Sequence, residues 1–279
     1  MMERKLLITV GDDPDFLYGV RFASNFFRNK KDMKLTLLHV APQFESMDAQ
    51  EARRVHEMDR ALSEIYARKG QAVVFSALSK SNLHGLLDMN ELWLHAIGCS
   101  FAARDILKKS ISKNANVRRL MPGRQSQEDQ VFLSGLLHDV GKVIFAVYFP
   151  EEYRTVLGEA RWAQVPLHQK EGELLGLDHA RMVGMIMDHW NFPESISLPC
   201  TYHHNPLACP NLHKPNAMAV QLATFICHKA EIGQSGNPMA AFTAGALQGL
   251  SLTSGDLKAM IKLLKDQRSA VEEFLQAIM

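Results

Sequence analysis

The sequence has few cysteines and almost no net charge. Its four cysteines form no CxxC pair and no zinc-ribbon spacing. In a chain of 279 residues such a set excludes a disulfide framework and fits a reducing cytoplasm. Lys and Arg number 31 and Asp and Glu number 30, so the net charge is +1. No long-range field therefore attracts nucleic acid or an anionic membrane, and neither is expected as a partner.

Long hydrophobic runs are also missing. No apolar run approaches the roughly 18 to 20 residues that span a bilayer. Arg4 and Lys5 precede a short apolar stretch at 6–10, but Asp12 ends it well before the length of a signal-peptide core. With 47% hydrophobic and 22% charged residues, the composition is that of a globular protein with a substantial core. We predict a soluble, cytoplasmic protein.

The first 70 residues contain two β-prone runs. KLLITV at 5–10 and LTLLHV at 35–40 flank a stretch at 17–28 with helical spacing of its apolar residues, which predicts a βαβ unit. This unit resembles the opening of a universal stress protein. No glycine-rich phosphate loop follows it, so we do not expect it to bind ATP. Two short parallel strands must bury their apolar face elsewhere, against the rest of the chain or in a homodimer.

From residue 71 to 279 the pattern changes to apolar residues three and four apart, which predicts helix almost throughout. The fold class is therefore α+β, with a small N-terminal βαβ module at 1–70 and a large all-helical domain at 71–279. The predicted helices cover about 72–80, 87–110, 127–147, 151–161, 168–174, 178–190, 194–203, 215–231, 238–247 and 254–277.

The strongest local motif is GLLHDVGK, which contains His138, Asp139 and Lys142. Imidazole and carboxylate ligands together suit a divalent metal such as iron, manganese or zinc. Further histidines accompany this motif: His95, His179 and the pair His203 and His204. Each residue also has a structural alternative, since a histidine can fill a polar niche in a core and Asp139 can pair with Lys142 across one helical turn.

The order His, His-Asp-x-Gly-Lys, His, His-His resembles the HDOD family over residues 72 to about 230. The matching segments are LHGLLDMNELWLHAIGCSFAARDIL, FLSGLLHDVGKVIF, EGELLGLDHARMVGMIMDHWNFPESI and YHHNP. The resemblance implies the helical fold of HD-type phosphohydrolases. It also implies that His95, His138 and Asp139 occupy metal-ligand positions, and that His179 and one or both of His203 and His204 match second-metal histidines. Lys142, which follows Gly141 closely, is the candidate catalytic residue because it could touch the phosphate of a bound ligand; its structural alternative is a pairing with Asp139 or Glu152.

Two departures from the catalytic pattern argue against an enzymatic role. Catalytic HD domains close the site with an aspartate on a later helix, where this chain has Thr224. Losing an anionic ligand weakens both metal affinity and the positioning of a metal-bound nucleophile. The tripeptide GYP of cyclic dinucleotide hydrolases is replaced by Asn205, Pro206 and Leu207.

The sequence thus predicts a signal-transduction protein that acts mainly through a regulatory protein partner and holds a degenerate metal site. The alternative is a metal-dependent phosphohydrolase acting on a nucleotide or phosphoester. A nucleotide-sensing stress protein, which depends on the N-terminal unit alone, ranks last.

Overall fold

The computed structural model describes residues 82–83, 85–120 and 124–278. Ser81–Gly184 and Pro193–Met279 form one compact unit, while Met185–Phe192 fall in a second unit. The βαβ module predicted for residues 1–70 and the helix predicted at 72–80 lie outside the described residues, so both stay predictions.

The described part begins with a small antiparallel hairpin and continues as helices. Strands β1 (Asn82–Leu83) and β2 (Leu87–Asp88) pair with Leu83 opposite Leu87. The helices are α1 (Met89–Lys113), α2 (Ala115–Leu120), α3 (Arg124–Leu137), α4 (Val140–Tyr148), α5 (Pro150–Ala163), α6 (Leu167–Leu175), α7 (His179–His189), α8 (Glu194–Tyr202), α9 (Lys214–Ala230), α10 (Ala244–Gly249), α11 (Ser254–Asp266) and α12 (Arg268–Ile278), with a 3-10 turn at Pro206–Ala208. The prediction of a large helical domain is confirmed.

Helix α1 is the centre of the core. It packs against α3 and α9, α8 packs on α3, and α11 packs on α9. The core side chains of α1 include Ile97, Ile106 and Leu107, which are fully buried. Gly135 on α3 allows the close crossing with α1, because a Cβ there would lie 2.8 Å from the Cα of Ser100. Such tight packing fixes the relative positions of the two helices that carry most of the site.

One stretch, Gln127–Tyr148, is long and apolar enough to cross a membrane by length and composition alone, which the sequence analysis did not single out. Of the 18 consecutive residues that are most apolar in this stretch, 78% are buried within the protein. A buried apolar stretch of this kind is also what the core helix of a soluble protein shows.

The prediction of one long helix at 127–147 is wrong in one respect. The chain forms two helices there, α3 and α4, which are separated by His138 and Asp139. Asp139 takes the N-cap position of α4 with φ −98° and ψ 1°, yet its side chain makes no cap hydrogen bond. Aspartate at this position ordinarily caps the helix. Here the carboxylate points instead toward the histidines described below.

Three other boundaries also differ from the predictions. The helix predicted at 254–277 divides into α11 and α12 at Gln267, and α10 begins at Ala244 instead of 238. No helix was predicted between 110 and 127, but residues Ala115–Leu120 form α2. Its start is capped by Asn114, whose side-chain oxygen accepts hydrogen bonds from the backbone N–H groups of Asn116 and Val117 at 2.9 and 3.2 Å.

Candidate functional site

Four parts of the domain bring polar side chains together in its interior. Helix α1 provides His95, the α3–α4 junction provides His138 and Asp139, and the first residue of α7 is His179. His203 and His204 follow α8. All are buried except His204, which is half-buried. The six residues predicted as metal ligands are thus neighbours in space; that they bind a metal stays a prediction.

Asp139 is the centre of the group. Its Oδ1 lies 3.4 Å from Nε2 of His138 and 3.2 Å from Nε2 of His179. Its Oδ2 lies 3.8 Å from Nε2 of His95. Nitrogen and oxygen ligands about 2.1 Å from a tetrahedral metal lie roughly 3.4 Å from each other. The separations around Asp139 are therefore of the size that a shared cation requires.

Backbone carbonyls hold two of the histidines so that Nε2 faces this centre. The Nδ1 atoms of His138 and His203 lie 2.7 Å from the carbonyl oxygens of Gly135 and Cys200, respectively. The hydrogen bond to each carbonyl requires the proton on Nδ1, which leaves Nε2 with a free lone pair. Nε2 of His203 is buried and has no hydrogen-bond partner. Metal-binding histidines are oriented in this way by the hydrogen bond of the other ring nitrogen.

His179 is oriented by a carboxylate. Its Nδ1 lies 2.5 Å from Oε2 of Glu171 on α6, and the same oxygen accepts its backbone N–H at 2.9 Å. Tyr153 donates to the other oxygen of Glu171 at 3.0 Å. Burial alone would lower the pKa of His179, but the Glu171 carboxylate raises it to about 9.

The close approach of α4 to His179 depends on Gly141. A Cβ at this position would overlap the carbonyl oxygen of His179. Gly233, with φ +62°, has a similar role beside α1, because a Cβ there would overlap the backbone N–H of His95. Both glycines thus bring backbone segments next to site residues closer than any other residue type would allow.

Burial keeps several of the imidazoles neutral. It lowers the pKa of His138 to about 4, and it lowers the pKa of His203 and of His204 well below the usual range. Burial alone would raise the pKa of Asp139, but His138, Lys142 and His179 together lower it well below its ordinary value. Neutral imidazole and ionised carboxylate are the forms that bind metals.

Two ligand groups meet at this centre. Ligand atoms of His179, His203 and His204 lie within 4.8 Å of one another, and so do those of His138, Asp139 and His203. Nε2 of His204 lies 2.9 Å from Nε2 of His179. Two ring nitrogens that face each other in a buried site suit a shared cation or a shared proton. The donor set of nitrogen and oxygen atoms fits a divalent transition metal, whose identity it does not define.

Lys142, predicted as a residue that contacts phosphate, is 1% exposed. Its Nζ donates to Oδ2 of Asp139 at 2.8 Å and to the carbonyl oxygen of Ser235 at 3.1 Å. This is the structural alternative in which Lys142 pairs with Asp139. A catalytic role for Lys142 stays a prediction.

Thr224 on α9 faces the site as the sequence analysis expected. Its hydroxyl lies 3.5 Å from Nε2 of His138 and donates to the carbonyl oxygen of Val220 at 3.1 Å. A carboxylate at this position would reach a cation bound by His138, if one is present. The neutral hydroxyl brings no charge to it.

Sequence reasoning missed three residues of the site. Glu171 orients His179, and Cys99 lies 3.4 Å from Nε2 of His95. His168, which was not among the predicted ligands, stacks on His204 with ring centroids 3.9 Å apart. Cys99 follows His95 by one helical turn, a spacing that places both on one face. Glu171 and His168 lie in a segment whose periodicity predicts only a helix.

Known proteins share this fold. A crystal structure of an HDOD domain protein from Geobacter sulfurreducens matches 98% of this chain and 93% of its own, with 19% identity and a TM-score of 0.54. A proposed signal transduction protein from Marinobacter aquaeolei VT8 matches 97% of this chain and 67% of its own, with 16% identity and a TM-score of 0.54. A proposed phosphohydrolase from Shewanella amazonensis SB2B matches 81% of both chains, with 14% identity and a TM-score of 0.50.

Comparison of the sequence gives a distant relative and a family match. An uncharacterized protein of Treponema pallidum (strain Nichols) is 23% identical over 172 residues, 61% of this chain, and this match spans only 31% of that relative's length. The HDOD domain family matches residues 45–206. The resemblance of residues 1–70 to a universal stress protein gains no support, since the family match already begins at residue 45. Because the family match covers more than half of the 279 residues, the chain belongs to the HDOD family.

Proposed function

We propose that this protein is a regulatory component of a signalling system, acts by binding a protein partner, and keeps a metal-binding site without efficient phosphohydrolase activity. The observation that carries the proposal is Thr224, whose hydroxyl faces His138 at 3.5 Å where catalytic relatives have a carboxylate. The similarity in fold to a proposed signal transduction protein supports the same function.

The charge balance of the site supports weak catalysis. Among the described residues, Asp139 is the one carboxylate within the groups of candidate ligands. One of its oxygens is already paired with Lys142 at 2.8 Å. A divalent cation activates water most effectively when its ligands fix both the ion and the open coordination position. Fewer anionic ligands leave the cation and its bound water less firmly positioned.

The alternative function, a metal-dependent phosphohydrolase, is favoured by a different observation. Nε2 of His138 and the unpartnered Nε2 of His203 face a shared buried centre with Asp139. When bound, a divalent metal would supply a nucleophilic hydroxide at neutral pH. In this alternative Lys142 would orient a substrate phosphate while it remains paired with Asp139.

Hydrolysis assays separate the two functions. The protein, loaded in turn with manganese, iron and zinc, is tested against nucleotides, cyclic dinucleotides and a generic phosphoester. We expect turnover far below the usual enzyme range of about 1 to 1000 per second. Turnover within that range that is lost on His138→Ala would overturn the proposed function.

A matched variant tests the role of Thr224 itself. Thr224→Asp restores the carboxylate at the α9 position and should tighten binding of manganese by about tenfold or more, because it adds an anionic oxygen ligand. Thr201→Asp on α8 is a control that adds the same charge at another threonine outside the groups of candidate ligands. Equal manganese affinity in the wild type and Thr224→Asp would show that Thr224 does not face the cation.

A further inference from the structure

A cysteine that the sequence analysis did not assign lies within the site. Sγ of Cys99 lies 3.4 Å from Nε2 of His95, one turn earlier on α1. The ligand atoms of His95, Cys99 and His138 all lie within 4.8 Å of one another, and all three residues are buried. This group is separate from the one formed by His179, His203 and His204.

The geometry matches that of a thiolate-containing metal site. A zinc ion binds sulfur at about 2.3 Å and imidazole nitrogen at about 2.0 to 2.1 Å, so the two ligand atoms of a tetrahedral site lie roughly 3.5 Å apart. The distance of 3.4 Å between Cys99 and His95 agrees with that value. Asp139, with Oδ1 3.4 Å from Nε2 of His138, is a carboxylate beside this group.

A second observation comes from the neighbouring ligand group, in which His203 lies with His138 and Asp139. Nε2 of His203 is fully buried without a hydrogen-bond partner, and its ring centroid lies 5.0 Å from that of His138. A buried polar atom without a partner costs about 1 to 3 kcal/mol. The two observations together indicate that the site is built around something that accepts lone pairs.

We propose that Cys99 is a metal ligand which, with His95 and His138, makes the site selective for a soft divalent cation such as zinc. This inference depends on the metal-binding part of the proposed function. The thiolate supplies the negative charge that Thr224 lacks. Thiolate favours zinc over magnesium or calcium, which prefer oxygen ligands.

Metal binding exchanges the proton of the Cys99 thiol for a metal ion. The Cys99 thiol gives its proton to solvent as the metal–sulfur bond forms, and His95 and His138 bind as neutral imidazoles. The competing explanation is an ordinary hydrogen bond between a neutral thiol and His95 in a polar part of the core. That explanation predicts no bond between Cys99 and any metal.

Cobalt(II) is the probe, because a cobalt–thiolate bond gives charge-transfer absorption in the near ultraviolet. The full chain is titrated with cobalt and, separately, with zinc. We expect the wild type to show the band, and Cys99→Ser to lose it and to bind zinc at least about tenfold more weakly. Cys209→Ser is the matched control, because Cys209 is also buried and unpaired but is not in any ligand group. It should keep both the band and the affinity.

If Cys99→Ser fails to fold, X-ray absorption of the zinc-loaded wild type decides the question, since a sulfur neighbour at about 2.3 Å identifies the thiolate. No cobalt binding, bound cobalt without the band, or a band that survives Cys99→Ser would overturn the inference. Those results would not change the outcome of the hydrolysis test. Rapid hydrolysis, in turn, would overturn the proposed function but not the assignment of Cys99 as a metal ligand.

Discussion

The histidine site and helix α11 place charged side chains in different ways. In the site, Asp139, Lys142 and Glu171 are almost wholly buried and contact each other or a histidine. At α11, Asp256 pairs with the partly exposed Lys109 and Lys113 at 2.9 and 2.7 Å. A buried ion pair gives little net stability, because its desolvation cost offsets much of the attraction between the two charges. Asp256 is itself only 9% exposed, but both of its lysine partners reach the solvent, where charge costs less.

The largest expected effect comes from breaking the buried pair. Asp139→Asn leaves the Lys142 ammonium buried without its partner, and should lower the free energy of unfolding of the metal-free protein by about 3 to 5 kcal/mol. Urea denaturation in the presence of a chelator measures this change in the free energy of unfolding. Adding Lys142→Met to Asp139→Asn removes the remaining charge and should restore much of the loss. A loss of under about 1 kcal/mol for Asp139→Asn alone would contradict a tightly buried pair.

A smaller effect is expected at the contact between α4 and α7. Gly141→Ala places a methyl group against the carbonyl oxygen of His179, and should destabilise the fold by about 1 to 3 kcal/mol through overpacking. Thermal or urea unfolding would show it. Gly172→Ala on α6 is the matched control, since nothing lies within 4 Å of the added methyl. It should be neutral or stabilise the helix by about 0.5 to 1 kcal/mol, and equal behaviour of the two variants would contradict the close approach.

At α11 the expected loss is smaller still. Thr253 and Asp256 form a capping box in which each side chain accepts the backbone N–H of the other residue. Thr253→Ala should cost about 1 kcal/mol in the free energy of unfolding, while leaving metal binding by the site unchanged. A Thr253→Ala protein with altered metal affinity would show that α11 and the site are not independent.

The smallest expected effect is the pH dependence of the Asp256 pairs. Hydrogen bonds from Lys113, Lys109 and Thr253 lower the pKa of Asp256 from its ordinary value of 3.8. A carboxyl with a lowered pKa stabilises the fold above its unfolded pKa, and this contribution is lost as the pH falls through the folded value. The difference in unfolding temperature between the wild type and Asp256→Asn should therefore be present near neutral pH and shrink as the pH falls below 3.8. A constant difference would contradict the ion pairs.

The sequence predicts the helical domain and its histidine pattern because both leave periodic or motif signals. Apolar spacing predicts most helices from α1 to α12. The site order His95, His138, His179 and His203 comes from the family resemblance. Periodicity reports which face is buried, and not which polar partner it meets.

The parts that the sequence does not predict are set by contacts between distant residues. The break at Asp139 exists because its carboxylate faces the histidines instead of capping α4. Glu171 meets His179 across the turn between two helices. Cys99 becomes a candidate ligand only because the end of α3 brings His138 beside it.

The most direct test of the account is the metal content of protein purified without chelator. We predict that a transition metal is present in a fixed ratio to the chain by elemental mass spectrometry, and is lost in His138→Ala. A folded wild-type protein that holds no metal, and takes up none on dialysis against zinc, manganese or iron, would show that the buried histidines are only a polar core.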